Sequence, residues 1–192
     1  GWILEIPVNT TADIYLPGEK KRQIGSGKYT FKVDLPQQKG VVVQEYIYEK
    51  ADFPQCHSAT IAQTPEGDLI TAFFGGTREG HTDVCIYVSR KDQGSDTWTK
   101  PELVADGWMT VEGKAVRKAC YNPVLFQQPG GELYLFYKVG NRVSDWKGFL
   151  KMSRDGGRSW SKAFSLPEGY LGPVKNKIEI VDGKSIAPSS TE

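Results

Sequence analysis

The sequence predicts an all-β chain built from a repeated four-stranded antiparallel unit, and three observations predict it. Helical periodicity is nearly absent, while short runs rich in β-branched and aromatic residues recur between Gly, Pro and Asp. The turn Ser153-Arg154-Asp155-Gly156-Gly157-Arg158-Ser159-Trp160 has a degenerate copy 64 residues earlier, Ser89-Arg90-Lys91-Asp92-Gln93-Gly94 leading to Trp98. The same offset aligns Cys56 with Cys120, Gly67 with Gly131, Leu69 with Leu133, Gly76 with Gly140 and Arg78 with Arg142. An ungapped repeat of this period marks a stacked or radial architecture.

Residues 1–38 stand outside the repeat. Runs 3–8, 12–16 and 29–35 read as strands, separated by the turns Pro17-Gly18-Glu19-Lys20 and Gly25-Ser26-Gly27-Lys28. Three short strands bury little by themselves, so this segment is expected to be a β-sandwich remnant, followed by a linker at 39–43. The repeats occupy 44–192. The first unit reads as strand 57–63, turn Pro65-Glu66-Gly67-Asp68, strand 69–74, loop 75–82, strand 84–90, a turn, and a strand after Trp98. The second has strands at 121–127, 133–137, 148–153 and 162–166. A third opens with strand 175–181, turns at Asp182-Gly183 and continues through 186–188. Four antiparallel strands per unit of this length make a β-propeller blade. About two and a half blades leave an open ring, so the chain is expected to be part of a longer protein.

Lys plus Arg number 24 against 23 Asp plus Glu, so no overall field recruits nucleic acid or an anionic membrane. Any anionic ligand needs a local site. The apolar runs are strand-sized, well short of the roughly 20 residues of a membrane helix. Gly1-Trp2-Ile3-Leu4-Glu5 carries neither a basic leader nor a cleavage signature, so no signal peptide is expected within the chain. Cys56, Cys85 and Cys120 lack metal-type spacing and read as buried free thiols, with a Cys56–Cys120 disulfide as the alternative. No metal or cofactor is expected from these residues.

In a propeller the first strand of each blade lines the central channel, so the starts of these strands share one mouth. His57, Tyr121 and Lys175 begin the first strands, with Ser58, Asn122 and Asn176 beside them, and a ring of such groups reads as a ligand pocket. Arg78 lies in the Gly-rich loop at the same end, followed closely by His81 and Asp83. A guanidinium fork matches a planar carboxylate. Each residue also has a structural reading: a histidine satisfied by its neighbours, an aspartate ending a loop, or an Asn-Pro turn at Asn122-Pro123. Trp98, Trp146 and Trp160 read as packing residues, with a sugar platform as the alternative at Trp146 alone.

Residues 153–160 fit the Asp-box pattern S-x-D-x-G-x-x-W, whose Ser and Asp close a turn; resemblance to sialidase-like propellers, where such turns lie on the face away from the active site, implies that Asp155 is not a catalytic candidate. Residues 44–192 resemble the opening blades of the BNR-type, sialidase-like propeller family. The resemblance is carried by Phe53-Pro54-Gln55-Cys56-His57, Phe74-Gly75-Gly76-Thr77-Arg78-Glu79-Gly80, Asn122-Pro123-Val124-Leu125, Phe136-Tyr137-Lys138-Val139-Gly140, Gly172-Pro173-Val174-Lys175-Asn176-Lys177 and Ala187-Pro188-Ser189-Ser190-Thr191-Glu192. Residues 1–38, through Ile6-Pro7-Val8-Asn9-Thr10-Thr11-Ala12, look like the C-terminal tail of an α-L-rhamnosidase.

The sialidase-like resemblance implies a carbohydrate-active exo-enzyme that cleaves a terminal bond at or next to a carboxylate-bearing sugar. In sialidases an arginine cluster holds the carboxylate, an Asp is the acid/base and a Tyr the nucleophile. Arg78 matches the second arginine and Asp83 the acid/base, whereas His57 stands at the first arginine's position. That departure admits a rhamnosyl-glucuronate lyase, with His57, His81 and Tyr121 as catalytic groups; a third reading is a non-catalytic glycan-binding propeller. Lys138, Lys175, Asn176 and Lys177 enter as substrate-binding residues through the resemblance, beside Arg78 and Asn122. The implied partner is an anionic oligosaccharide or polysaccharide, and the implied location of the longer protein is secreted or periplasmic.

Overall fold

The structure, a computed structural model, describes residues 2–16, 19–32 and 40–190. Pro17-Gly18 of the first expected turn, residues 33–35 of the third expected strand, Lys39 of the linker and Thr191-Glu192 lie outside the described residues. The chain divides into two compact units, Gly1–Glu45 and Tyr46–Glu192.

In the first unit β1 (Trp2–Ile6), β2 (Ala12–Ile14), β3 (Arg22–Ile24) and β4 (Gly27–Phe31) form two antiparallel ribbons, β1 with β4 and β2 with β3. β3 was not expected: Arg22-Gln23-Ile24 carries no β-rich run and is a strand only through its ladder with β2. Ile6, Leu16 and Phe31 are buried, and Lys21 pairs with Asp13 at 2.7 Å.

The second unit is all-β, with the strand pattern of an incomplete propeller and no closed sheet. Its first blade is the four-stranded sheet β5 (Gln55–Gln63), β6 (Leu69–Gly76), β7 (Cys85–Lys91) and β8 (Glu102–Ala105), in that order. A hairpin of β9 (Trp108–Val111) and β10 (Lys114–Arg117) follows. Glu112 and Gly113 turn it, with φ of 49° and 77°, the left-handed pair that matches the twist of a two-residue hairpin. The second blade is β11 (Ala119–Gln127), β12 (Leu133–Gly140), β13 (Lys147–Ser153) and β14 (Phe164–Ser165), again in chain order. β15 (Glu179–Val181) and β16 (Lys184–Ile186) form a last ribbon around Asp182-Gly183.

Two expected strands are shorter than the sequence implied. The fourth strand of the second blade is two residues long, and the run expected to begin at Lys175 pairs only from Glu179. Pro173 and Val174 are buried in the chain bend ahead of it, where their carbonyls are bound to Lys138 instead of to a neighbouring strand.

One apolar cluster joins the blades. Ile70, Phe74 and Ile86 of the first pack with Tyr121, Leu125, Leu135 and Tyr137 of the second, all nearly without solvent contact. Period-2 alternation explains the choice: in β12 every other residue from Leu133 to Val139 joins the cluster. Burial of this kind is the main force holding the blades together. All three cysteines are free thiols. Cys85 and Cys120 are buried as expected, but Cys56 is exposed, so the interblade disulfide is not formed and the burial expected of Cys56 is corrected. Its register partner Gly75 contributes no side chain to cover it.

The ladders define two ends. At one end Gln55 opposes Gly76 and Ala119 opposes Gly140; at the other Gln63 opposes Leu69 and Gln127 opposes Leu133. The Asp box sits at the second end. Ser153 Oγ donates to Asp155 Oδ1 at 2.8 Å and accepts from the Gly157 N–H at 2.7 Å, while Asp155 accepts from the Ser159 N–H at 2.8 Å. Hydrogen bonds led by that of the Ser159 hydroxyl hold the Asp155 carboxyl down at about 2. Its role is closure of a turn.

Candidate functional site

The first end gathers the expected site. Each first strand breaks its ladder at the same place, between His57 and Thr60 in β5 and between Tyr121 and Val124 in β11. Ser58 and Asn122 occupy these bulges in the left-handed region, with φ of 55° and 42°. Asn tolerates that conformation; for Ser it is uncommon, and such strain is kept where surrounding structure enforces it. A bulge re-aims side chains. Ser58 Oγ donates to Asn122 Oδ1 at 3.0 Å, so two equivalent repeat positions touch across the interface.

Around this bond runs a line of rings. The exposed His57 imidazole lies 5.6 Å from Phe74, Phe74 is 5.9 Å from Tyr121 in an edge-on contact, and Tyr121 is 4.8 Å from Trp146. Desolvation by this packing pushes the Tyr121 phenol up, with Glu79 and Asp145 adding to the rise. A Cβ placed on Gly80 would lie 3.5 Å from the Tyr121 hydroxyl, so the Gly-rich loop of the first blade reaches the second blade's tyrosine. Arg78 is exposed on that loop, and its guanidinium makes no hydrogen bond or ion pair among the described residues.

Asp83 closes the loop. It accepts from the Thr77 N–H at 3.1 Å and the Thr77 hydroxyl at 2.6 Å, and its Oδ1 is 2.7 Å from His81 Nδ1. The Thr77 hydroxyl first, then His81, bring its carboxyl down to about 2 against some desolvation. The second blade repeats the device with a different spacing. Asp145 Oδ1 accepts from the N–H groups of Asn141 and Arg142 at 2.8 and 2.9 Å, and Oδ2 takes Lys118 Nζ at 3.1 Å. The carboxylates lie over Gly76 and Gly140, where a Cβ would meet them at 2.8 and 2.6 Å. The loop of the second blade is two residues shorter, so the ungapped repeat aligns Asp83 with Lys147 and hides Asp145. The Gly followed by a loop Asp was the available signal.

Lys138 lies beneath the mouth with no solvent exposure. Its ammonium donates to the carbonyl of Pro173 and, at 3.3 and 3.4 Å, to those of Val174 and Asn122. Burial pulls its pKa down to about 7. It ties the Asn122 bulge to the bend that precedes Lys175. Lys175, Asn176 and Lys177 are exposed in that bend, and no hydrogen bond or ion pair joins them to the rest of the set. The structure therefore brings His57, Ser58, Tyr121, Asn122 and the 76–83 loop to one end, with Lys138 underneath and Lys175–Lys177 beside them.

Among the described residues no group of three or more His, Cys, Asp and Glu side chains could hold a metal ion. No helix among them is long and apolar enough to cross a membrane. No curated protein matches the chain. Residues 67–192 match the BNR repeat-like domain, a family associated with glycosidases. With two repeats joined blade to blade and this match over more than half its length, the chain belongs to the BNR repeat-like domain family and is consistent with a sialidase-like relationship.

Proposed function

We propose that this end binds a carboxylate-bearing sugar of an anionic oligosaccharide or polysaccharide and supports cleavage of the glycosidic bond at or next to it. The observation that carries the reading is the Ser58–Asn122 bond between equivalent bulges, because it joins two strand starts bearing His57 and Tyr121 beside a loop with a free Arg78. Arg78 pairs the carboxylate bidentately. Asn122, Lys175, Asn176 and Lys177 contact sugar hydroxyls or charge, and Lys138 positions the Asn122 backbone. The family supports sialidase-like hydrolysis, with Asp83 as acid/base and further groups supplied by blades of a longer protein. That protein, in this reading, carries a rhamnosidase-like module ahead of the propeller and works outside the cell or in the periplasm.

A second route, β-elimination from a rhamnosyl-glucuronate, is favoured by one observation. Asp83 is held ionised by Thr77 and His81 and has no proton to give at neutral pH, whereas the His57 imidazole makes no hydrogen bond or ion pair among the described residues. His57 takes the uronate C5 proton and its electron pair becomes the C4–C5 double bond as the C4–O bond breaks. Tyr121 protonates the departing rhamnose oxygen. The longer protein, incubated with a sialoside and with a rhamnosyl-glucuronate, tests both routes. Absorbance near ~235 nm marks the unsaturated uronate, and sugar release without it marks hydrolysis. His57→Ala is expected to cost roughly 10²–10⁴-fold in kcat by the elimination route. If neither substrate is cleaved or bound, and His57→Ala and Arg78→Ala change nothing, the reading is wrong.

A further inference from the structure

Beside the ring of strand starts, at the mouth end, lies a cleft of about 680 Å³. Three chain excursions build it: the β9–β10 hairpin with Met109, the β12–β13 loop with Asp145 and Trp146, and the segment after β14 with Tyr170. This volume lies in the range of small-ligand sites.

The hairpin is held firmly at its base. Gly107 has φ of 73°, a Cβ there would stand 2.0 Å from the Lys118 carbonyl, and the Lys118 N–H donates to the Gly107 carbonyl at 3.1 Å. The hairpin belongs to neither blade, yet its Met109 and Val111 line the cleft, and Tyr170 on the opposite wall is 70% exposed. With Trp146 it gives the cleft two amphipathic rings, each an apolar face with a polar tip.

The polar lining is balanced. Lys118 and Lys147 face Asp145 and Glu168, and Lys118 is already neutralised by Asp145 at 3.1 Å. The cleft thus offers rings and hydrogen-bonding groups without net charge, the chemistry that takes an uncharged pyranose. Trp146 connects it to the mouth, since it lines the cleft and lies against Tyr121 at 4.8 Å.

We propose that this cleft is a subsite for uncharged pyranose residues adjoining the carboxylate-bearing sugar. The proposal rests on the reading of the mouth given above for its place along the glycan, although its test does not require turnover. Binding of neutral tetrasaccharides of glucose, galactose, xylose and mannose to the chain is measured by calorimetry, alongside binding of free glucuronate. At least one tetrasaccharide is expected to bind, and Tyr170→Ala to weaken it about tenfold, the scale of one lost aromatic contact. Tyr170 is exposed, so its unfolding temperature should stay at the parent value. Glucuronate binding should be lost with Arg78→Ala and unchanged by Tyr170→Ala. No binding of any tetrasaccharide, or equal binding by Tyr170→Ala, overturns the proposal. Tyr170-sensitive tetrasaccharide binding with no glucuronate binding upholds the subsite and sinks the reading of the mouth.

Discussion

Lys138 shows how far one substitution within a repeat can go. The 64-residue offset pairs it with Phe74, and both side chains are fully buried, but the lysine brings an ammonium where the first blade has a ring. Three backbone carbonyls satisfy it, and no carboxylate does so. Burial lowers its pKa from 10.5 to about 7, so between those values the unfolded chain holds the proton that the folded chain has released. Stability therefore rises with pH through that window. Lys138→Met is expected to flatten this rise, and to lower stability at pH 10 by about 1–3 kcal/mol through the carbonyls left without a donor. Urea unfolding of both proteins at pH 7 and pH 10 checks the slope and the offset. The family resemblance placed Lys138 among the substrate-binding residues; its burial follows from ladder register, which the matching phrase does not encode.

At the scale of elements, the strands of both blades were legible because the first two strands and the turn between them recur at a constant offset, which changes only past the following loop. The loops were not, because they differ in length. Asp83 and Asp145 do the same work over Gly76 and Gly140, yet no fixed spacing connects them. Gly140→Ala tests the device: the new methyl meets Asp145 Oδ1 and the Trp146 ring at 2.6 and 2.7 Å. The expected loss is about 1–3 kcal/mol, with the Asn141 and Arg142 amides losing protection in hydrogen exchange. An equal loss is not expected from Gly130→Ala, where nothing stands within 4 Å of the added carbon, although its φ of 65° carries a smaller backbone cost. The β9–β10 hairpin escaped the sequence reading for a related reason. It lies between repeats and so has no second copy, and Glu-Gly is a weaker turn signal than Asn-Gly.

For the Tyr46–Glu192 unit as a whole, cohesion comes from the cluster between the two blades. Leu135 has no exposure and contacts the shared core, so Leu135→Ala is expected to cost about 2–5 kcal/mol. Both blades should lose stability together, read as one cooperative transition shifted to lower urea in far-UV and tryptophan signals alike. Separate transitions for the two signals would show that the blades fold independently. The candidate site depends on the same coupling, since Ser58 and Asn122 meet only while the blades are packed.

The worn turn of the first blade shows what that coupling replaces. Past the shorter loop of the second blade the offset becomes 62 residues, which corrects the copy expected to begin at Ser89: Lys91 faces Leu69 as Ser153 faces the equivalent Leu133, so the first blade has Lys91 in place of the Ser153 hydroxyl and Gln93 in place of Asp155. The missing closure comes from elsewhere: Asp68 accepts the Gln93 N–H at 2.8 Å, while Arg158 crosses from the neighbouring Asp box to Asp68 at 3.3 Å and Asp92 at 2.8 Å. The first blade has surrendered a self-contained turn and borrowed a guanidinium from its successor. Order along the chain has thus become dependency: the earlier repeat relies on the later one, and an exchange or excision of blades must move Arg158 together with the acidic pair it holds.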